Sequence, residues 1–545
     1  MLFVVSVGLI AHLLFSWMGL IPTDDGFVMA YSRRLLEGEI PYRDFISVRP
    51  LASAVLYLPF VRLGGAHTFL LARLFVWVEF ASCAWLWTRI IEHLLGLSFR
   101  RFNRILLALT AFSLSSHNFP LMPWFTVDGL FFLSLGLFVA IRGSRAAQLC
   151  GYALVGLSAL CKQTFVFAGP AAAVLLGHWR RLPTWISWGA PALAYGIWLL
   201  SLGALDDALV QMSVHTDLFS KGITVYVAYP SFAWGTLAGY WLWSHLASGE
   251  GTRPGVAGWA GSRAAFVGGT GLAAWAVGAA VYMGHGRYVG FPPFAVFGAV
   301  LGVLLTGRGG RVGSAPLWRA GGLALASAWC ASLSDGYNTP ALGSGPLYVF
   351  LAAIWMKQTL LDLPDGGGDG TRRRWIGSLL LLFIATSATA GFVAGRRQHV
   401  YLERPASELV QNLDDVFPGA KGIRSSQGAY DFLKDLGEAK LLARRHSARF
   451  AILPDLAGYW VKSEEVNPLL TDWSNRTELG SVALEERAIQ NLVAQRGRIA
   501  IITQKVEADS VARSPIPFQG RRVLLEYVRQ HFEKVGETSF FEVYR

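Results

Sequence analysis

Residues 22–50 read PTDDGFVMAYSRRLLEGEIPYRDFISVRP, and the rest of the chain is organised around them. This stretch follows one apolar segment and precedes a long series of others. It opens with the adjacent carboxylates of Asp24 and Asp25 and continues as a predicted short amphipathic helix, because apolar residues recur at i, i+4 spacing. Ionisable groups beside a membrane are costly unless they have a function. The acid pair is therefore a candidate site, although Asp25 could also cap a helix that begins near Gly26.

The composition is that of a membrane protein. Hydrophobic residues make up 53% of the chain, charged residues only 15%, and the mean hydropathy is +0.40. A soluble globular protein carries about a quarter charged residues. The net charge of +12 raises the question of nucleic acid, but the basic residues stand in short clusters between apolar segments. That pattern follows the positive-inside rule, so we expect no nucleic-acid partner.

The apolar segments predict an α-helical polytopic membrane protein with about thirteen transmembrane helices, at roughly 20 residues for each crossing. The predicted spans are residues 1–20, 67–93, 103–118, 126–141, 148–161, 163–178, 184–203, 227–247, 264–284, 288–306, 317–333, 345–361 and 375–395. The first of them lacks a basic leading region and a small-residue cleavage site. We therefore predict that it is retained as a span and is not a removed signal peptide.

The basic residues predict the orientation of these spans. Their main clusters lie at residues 100–104, 142–145, 180–181, 253–263, 308–311 and 372–374. All of them fall on one side if the N-terminus is cytoplasmic. The loop 21–66 and the C-terminal region then lie outside. We expect a multi-pass protein of the cytoplasmic (inner) membrane, with a transmembrane module at 1–395 and a soluble extracytoplasmic domain at 396–545.

The C-terminal region has the composition of a soluble protein, in which helices and strands alternate. Helices are predicted at 427–436, 440–445, 485–494 and 522–532, and strands at 449–454, 498–503 and 539–544. This alternation predicts a small α/β domain with a largely parallel sheet.

Twelve ionisable residues fall at the predicted outer ends of the spans. They are Asp24, Asp25, Asp44, Arg49, Asp128, Lys162, His215, Asp217, Lys221, His285, Arg287 and Asp335. Arg and Lys pair with phosphate oxygens, and a free carboxylate can take the proton of a hydroxyl. Each cation could instead extend towards lipid headgroups. No second His or Cys stands at ligand spacing from His285, so metal-independent chemistry is favoured and a divalent ion stays open.

Several motifs resemble one enzyme family. Asp24-Asp25-Gly26, Pro41-Tyr-Arg-Asp-Phe45 and Arg49-Pro50 are similar to the first outer loop of the C-class (GT-C) glycosyltransferases. The similar branch contains the protein O-mannosyltransferases and aminoarabinose transferases. Thr126-Val-Asp-Gly129 and Leu160-Cys-Lys-Gln-Thr164 are also similar to that branch.

The resemblance implies a GT-C-like fold and an inverting transfer from a polyprenyl-phosphate sugar to a hydroxyl acceptor, among membrane lipids and outside the cytoplasm. In the family the first acid of the pair is the candidate base, which falls on Asp24, with Asp25 beside it. The family's Lys-Pro-Pro element would match Arg49-Pro50-Leu51, which keeps the positive charge and loses one proline.

The predicted site therefore has three parts. The catalytic residues are Asp24 and Asp25; the donor phosphate contacts are Arg49, Lys162, His285 and Arg287; and the acceptor or sugar contacts are Asp128, Asp335 and Asn338. Two alternatives stay open. One is a transporter or flippase of a lipid-linked substrate, although no internal repeat supports it. The other is a membrane-anchored assembly protein whose soluble domain does the work.

Overall fold

The computed structural model of the protein describes residues 1–117, 120–215, 218–248, 254–306, 313–334, 339–357, 368–475, 477–518 and 522–545. The helices of the first 400 residues are α1 (Leu2–Phe15), α2 (Phe27–Leu36), α3 (Ala52–Leu63), α4 (Thr68–Leu94), α5 (Arg101–Ser116), α6 (Phe125–Ala140), α7 (Arg145–Cys161), α8 (Ala168–Leu175), α9 (Leu182–Ser201), α10 (Leu205–Met212), α11 (Leu218–Ala228), α12 (Pro230–Ser248), α13 (Pro254–Gly284), α14 (Phe291–Leu305), α15 (Ser314–Ser332), α16 (Ser344–Met356) and α17 (Gly368–Gln398). The remaining elements are β1 (Gln411–Asn412), β2 (Arg424–Ser425), α18 (Gln427–His446), β3 (Phe450–Leu453), α19 (Ala457–Trp460), α20 (Val482–Ala494), β4 (Ala500–Gln504), α21 (Val523–His531), β5 (Lys534–Glu537) and β6 (Phe541–Tyr544).

Every predicted span coincides with helical structure in the part of the chain that is described. Three helical segments are long and apolar enough to cross a membrane by themselves, namely Gly65–Leu94, Val267–Gly284 and Arg374–Gln398. Others are shorter than the roughly 20 residues that a crossing needs. α1 has 14 residues and α8 has 8. The helical class is thus confirmed, and the number of crossings stays a prediction.

The C-terminal region is a small α/β unit whose sheet is mixed. Its strand order is β3-β4-β6-β5, with β3 parallel to β4 and the other pairs antiparallel. The prediction of a largely parallel sheet was wrong because β5 was missed. β5 and β6 are joined by three residues, a connection that permits only antiparallel pairing. The two helices predicted at 427–436 and 440–445 are one continuous helix, α18.

This C-terminal unit, which is predicted to lie outside and is called the outer unit below, is docked onto residues 21–66, the predicted first outer loop. The amide of Gly458, in α19, donates to the carbonyl of Pro22 at 2.7 Å. The guanidinium of Arg34, in α2, makes two bonds to the Asp472 carboxylate, at 2.6 and 3.0 Å. Both side chains are almost fully buried. Such bidentate pairs fix orientation as well as distance, so these contacts hold the outer unit against the loop that carries the acid pair.

The predicted orientation can be tested at Gln427, an exposed residue at the start of α18. Gln427→Cys should react with a membrane-impermeant maleimide from outside intact cells, because the basic clusters place this unit outside. The background variant should be Cys150→Ser, since Cys150 is exposed while Cys83, Cys161 and Cys330 are buried. Labelling that requires permeabilised cells would reverse the orientation.

Candidate active site

Asp24 lies in a short 3-10 turn, Asp24–Gly26, that links α1 to α2. Its side chain is 7% exposed, and Oδ2 accepts a hydrogen bond of 3.0 Å from the Tyr401 hydroxyl, just beyond α17. Burial raises the pKa of Asp24 to about 7; the Tyr401 bond opposes this shift, and the charge of Asp25 adds to it. A base is most effective when its pKa lies near the working pH. Asp24 meets that requirement.

Asp25 is occupied by structural bonds. Its Oδ2 accepts from the amide of Ile21 at 2.8 Å, and its Oδ1 accepts from Arg73, in α4, at 2.7 and 3.2 Å. Arg73 also donates to the carbonyls of Ser16 and Gly19, both at 2.7 Å. The side chain of Asp25 therefore closes the turn before it. The expectation that Asp25 caps α2 was wrong, because the N-cap of α2 is Gly26 and has no side-chain bond.

Arg49 and Lys162 are two cations on neighbouring outer segments. The amide nitrogen of the Gln163 side chain donates to the carbonyl of Val48 at 2.9 Å, which ties these segments together. The Lys162 ammonium is buried and donates to the Thr126 hydroxyl at 2.9 Å. Burial, followed by the charge of Arg49, lowers the pKa of Lys162 to about 7. An anion that binds beside Lys162 would raise this pKa again, because an opposite charge favours the protonated amine.

The Arg49 guanidinium already holds an anion from the outer unit. Its Nη1 pairs with Glu478 Oε1 at 2.5 Å, and the Glu478 side chain is 2% exposed. The guanidinium also lies over the ring of Phe125 at 5.1 Å and that of Phe27 at 5.5 Å. The carboxylate of Glu478 thus occupies a position where Arg49 could otherwise bind a phosphate oxygen.

His285 and Arg287 are exposed in the turn between α13 and α14. The His285 ring bonds to the carbonyl of Val281 at 2.8 Å. The same turn packs against His399, whose Nε2 lies 3.1 Å from the carbonyl of Gly284. Because His399 precedes Tyr401 by two residues, the turn adjoins the segment that reaches Asp24. The phosphate role of both side chains stays a prediction.

Asp128 lies inside the helical module, at the start of α6. It is fully buried and accepts from the Tyr57 hydroxyl at 3.0 Å, while the same hydroxyl lies 3.4 Å from Glu79. The structure therefore groups Asp128 with a tyrosine and a second acid, and not with Arg49 or Lys162. Asp335, Asn338 and Asp217 lie outside the described residues, as do the side chains of His215 and Lys221.

The described residues contain no group of three or more His, Cys, Asp and Glu side chains that could hold a metal ion. Asp44 pairs with its exposed neighbour Arg43 at 2.9 Å and is not part of the buried site.

The chain resembles a protein of known structure. It is similar over its whole length to the crystal structure of ArnT from Cupriavidus metallidurans bound to undecaprenyl phosphate, with a TM-score of 0.53, 12% identity and 97% of that chain covered. The chain has the ArnT fold. No family model and no curated protein matches the sequence. This fold agrees with the GT-C-like fold that the motifs of the loop 21–66 predicted.

Within the ArnT fold, sequence reasoning missed three residues of the site. Arg73 could have been predicted from the sequence, because a charged residue inside an apolar span is a functional candidate by default. Tyr401 and Glu478 carried none, since they lie 377 and 429 residues from their partners Asp24 and Arg49. Only the docking of the outer unit brings them to the loop.

Proposed function

We propose that the protein is a membrane glycosyltransferase of the outer face of the cytoplasmic membrane. It transfers a sugar from a polyprenyl-phosphate donor to a hydroxyl acceptor with inversion. The observation that carries this proposal is the difference between the two acids. Asp25 is bonded through both oxygens, whereas Asp24 has one bond, on Oδ2, among the described residues, and a pKa near 7. The ArnT neighbour was solved with undecaprenyl phosphate, which supports a lipid-linked donor.

The reaction follows from these positions. The acceptor oxygen attacks the anomeric carbon of the sugar from the face opposite the phosphate, and its proton passes to Asp24. The bond between the anomeric carbon and the phosphate oxygen breaks, and its electron pair stays on the lipid phosphate. Arg49 and Lys162 stabilise the charge that develops there, as preorganised cations do in a dry site. Asp24 then returns the proton to solvent.

An apolar cavity of about 380 Å³ supports a lipid donor. It lies between α12, α13, α14 and α16. Large apolar side chains line it, among them Trp234, Leu242, Trp275 and Trp355. A polyprenyl chain needs such a surface, because burial of each CH₂ group contributes about 0.8 kcal/mol.

The proposal is tested with purified protein in lipid, labelled undecaprenyl-phosphate sugar and a cell-envelope extract as acceptor source. We expect release of undecaprenyl phosphate together with a labelled product. Movement of the intact donor across a vesicle membrane, without cleavage, would favour the transporter alternative.

The pH dependence of the reaction provides a second prediction. Because Asp24 accepts a proton only when ionised, kcat/KM should rise through an acid limb centred at about pH 7, and it should fall again at higher pH as Lys162, whose pKa is also about 7, loses its charge. Tyr401→Phe removes a hydrogen bond that lowers this pKa, so the limb should move to higher pH. The measurement is kcat/KM between about pH 5 and 9 for both proteins. A profile that is flat from about pH 6 to 8 would contradict the role of Asp24.

Donor affinity provides a third prediction. Arg49→Ala and Arg287→Ala should each weaken binding by about 1.5–3 kcal/mol, the cost of one lost charge-assisted bond. Glu478→Gln should have the opposite effect, because the neutral amide competes less with phosphate for Arg49. The measurement is a titration with undecaprenyl phosphate, read by native mass spectrometry.

Glu465→Gln is the matched control for Glu478→Gln, since Glu465 is an acid of the same unit that pairs with an arginine other than Arg49, namely Arg444. It should leave donor affinity unchanged. If all of these variants bind the donor like the wild type, Arg49 and Arg287 are not phosphate ligands.

A further inference from the structure

The carboxyl ends of β3 and β4, the parallel pair of the outer unit, meet at one edge of the sheet. In open α/β sheets, ligands bind outside the carboxyl ends of the parallel strands, and the single parallel pair of this sheet offers the same kind of edge. Asp455 follows β3 by two residues, and Gln504 is the last residue of β4. Directly after Asp455, α19 contacts the first outer loop, where the amide of Gly458 bonds to Pro22 at 2.7 Å. This edge therefore lies beside the turn that carries Asp24.

Buried oxygens at this edge, the Thr503 hydroxyl among them, have no hydrogen-bond partner among the described residues. Two of them belong to side chains with strong acceptors. They are Oδ1 of Asp455, whose side chain is 6% exposed, and Oε1 of Gln504, which is fully buried. The amide nitrogen of Gln504 donates to the carbonyl of Asp455 at 3.4 Å, which orients the side chain. A buried polar group without a partner is costly to the fold. Both oxygens therefore lack a partner that a ligand with hydrogen-bond donors would supply on entering this edge.

A donor group is held next to the end of β4 by Glu507, which follows Gln504 by three residues. Nη2 of Arg522 pairs with Glu507 at 3.1 Å, while its buried Nε has no partner in the part of the chain that is described. Arg522 lowers the pKa of Asp455 by charge attraction alone, against the burial that raises it to about 7. The charge of Asp24 adds to that rise, so the two acids are within electrostatic range of each other.

The arrangement selects one ligand chemistry. A hydroxyl group both donates and accepts hydrogen bonds, so adjacent hydroxyls can satisfy Asp455, Gln504 and Arg522 together. An anion would be repelled by Asp455 and by its acidic neighbours Glu507 and Asp509. An ammonium group only donates hydrogen bonds, so it would leave the buried Nε of Arg522 without an acceptor. An apolar ligand would leave all of these buried groups without partners.

We propose that the carboxyl edge of β3 and β4 is the acceptor site and binds a saccharide through Asp455, Gln504 and Arg522. The site presents one hydroxyl of that saccharide to Asp24. This last step rests on the proposed glycosyltransferase function, whereas binding of the saccharide does not.

Binding is tested with the full-length protein in detergent by saturation-transfer NMR. The probes are the methyl glycosides of mannose, galactose, glucose and arabinose. We expect saturation of the ring protons of at least one glycoside by the wild type. Asp455→Leu and Gln504→Met, which keep side-chain size and remove the acceptors, should weaken that binding about tenfold or more. Asp24→Asn should retain it, because Asp24 receives the proton and does not anchor the ring.

Asp435→Asn is the structural control. Asp435 lies in the same unit and accepts three bonds, from the Thr538 hydroxyl and the amides of Ser539 and Phe540. This control should lower the melting temperature and leave glycoside binding intact, whereas Asp455→Leu should weaken binding about tenfold or more without lowering the melting temperature.

The outcomes separate the two proposals. The protein could bind a glycoside through Asp455 and yet never cleave a polyprenyl-phosphate sugar. That result would support the saccharide site and contradict the proposed glycosyltransferase activity. Cleavage of the donor without any bound glycoside, or binding unchanged in Asp455→Leu, would overturn the site alone. A melting temperature that falls as far in Asp455→Leu as in Asp435→Asn would show that Asp455 is structural, which also overturns the site.

Discussion

Asp24→Asn is expected to lower kcat by about 10²–10⁴-fold, the contribution of a positioned general base. Asparagine keeps the size of the side chain and an oxygen that can accept the bond from Tyr401. It cannot take the proton of the acceptor hydroxyl. The fold and the affinity for undecaprenyl phosphate should therefore be unchanged. The measurement is single-turnover transfer from a labelled polyprenyl-phosphate sugar, together with thermal unfolding of the same preparation.

The matched control is Asp44→Asn, an acid of the same loop that pairs with Arg43 in an exposed position. It should keep near-normal turnover. If Asp24→Asn also keeps turnover while a folded Asp25→Asn loses it, the base is Asp25. Turnover retained in both variants of the pair would exclude catalysis by this loop.

The helical module was largely predictable from the sequence. The length of the apolar segments alone predicted helices at the spans. A chain that crosses a bilayer has no water to bond with its backbone, and a helix satisfies these groups internally. The amphipathic helix after the acid pair was also predictable from the sequence, and α2 begins at Phe27 as the pattern predicts. Both features are determined by residues close together in the sequence, so the spacing of apolar residues is enough to predict them.

The chemistry of the site was less predictable, because it depends on contacts between distant segments. The sequence indicates that Arg49 is a cation near an outer loop, but not that Glu478 neutralises it. The adjacent acids look equivalent in the sequence; Arg73 and Tyr401 are what distinguish them. The unpartnered oxygen of Asp455 depends on the docking of the outer unit, and no local pattern predicts it.

The second large effect is expected at Arg73. Arg73→Met should lower the free energy of unfolding by about 3–5 kcal/mol, because it leaves the buried carboxylate of Asp25 without its partner. The variant also removes the donors that hold the carbonyls of Ser16 and Gly19. The turn that positions Asp24 should loosen, so turnover should fall together with stability. The measurement is thermal unfolding in detergent, with kcat determined well below the melting temperature.

A double variant separates the charge from the fold. Arg73→Met combined with Asp25→Leu removes both charges, and replacing a buried ion pair by apolar groups is often close to neutral. The double variant should therefore be more stable than Arg73→Met alone. If Arg73→Met is as stable as the wild type, the ion pair does not hold the turn. Asp25 would then be free to act as the base, and the choice between the two acids would depend on turnover alone.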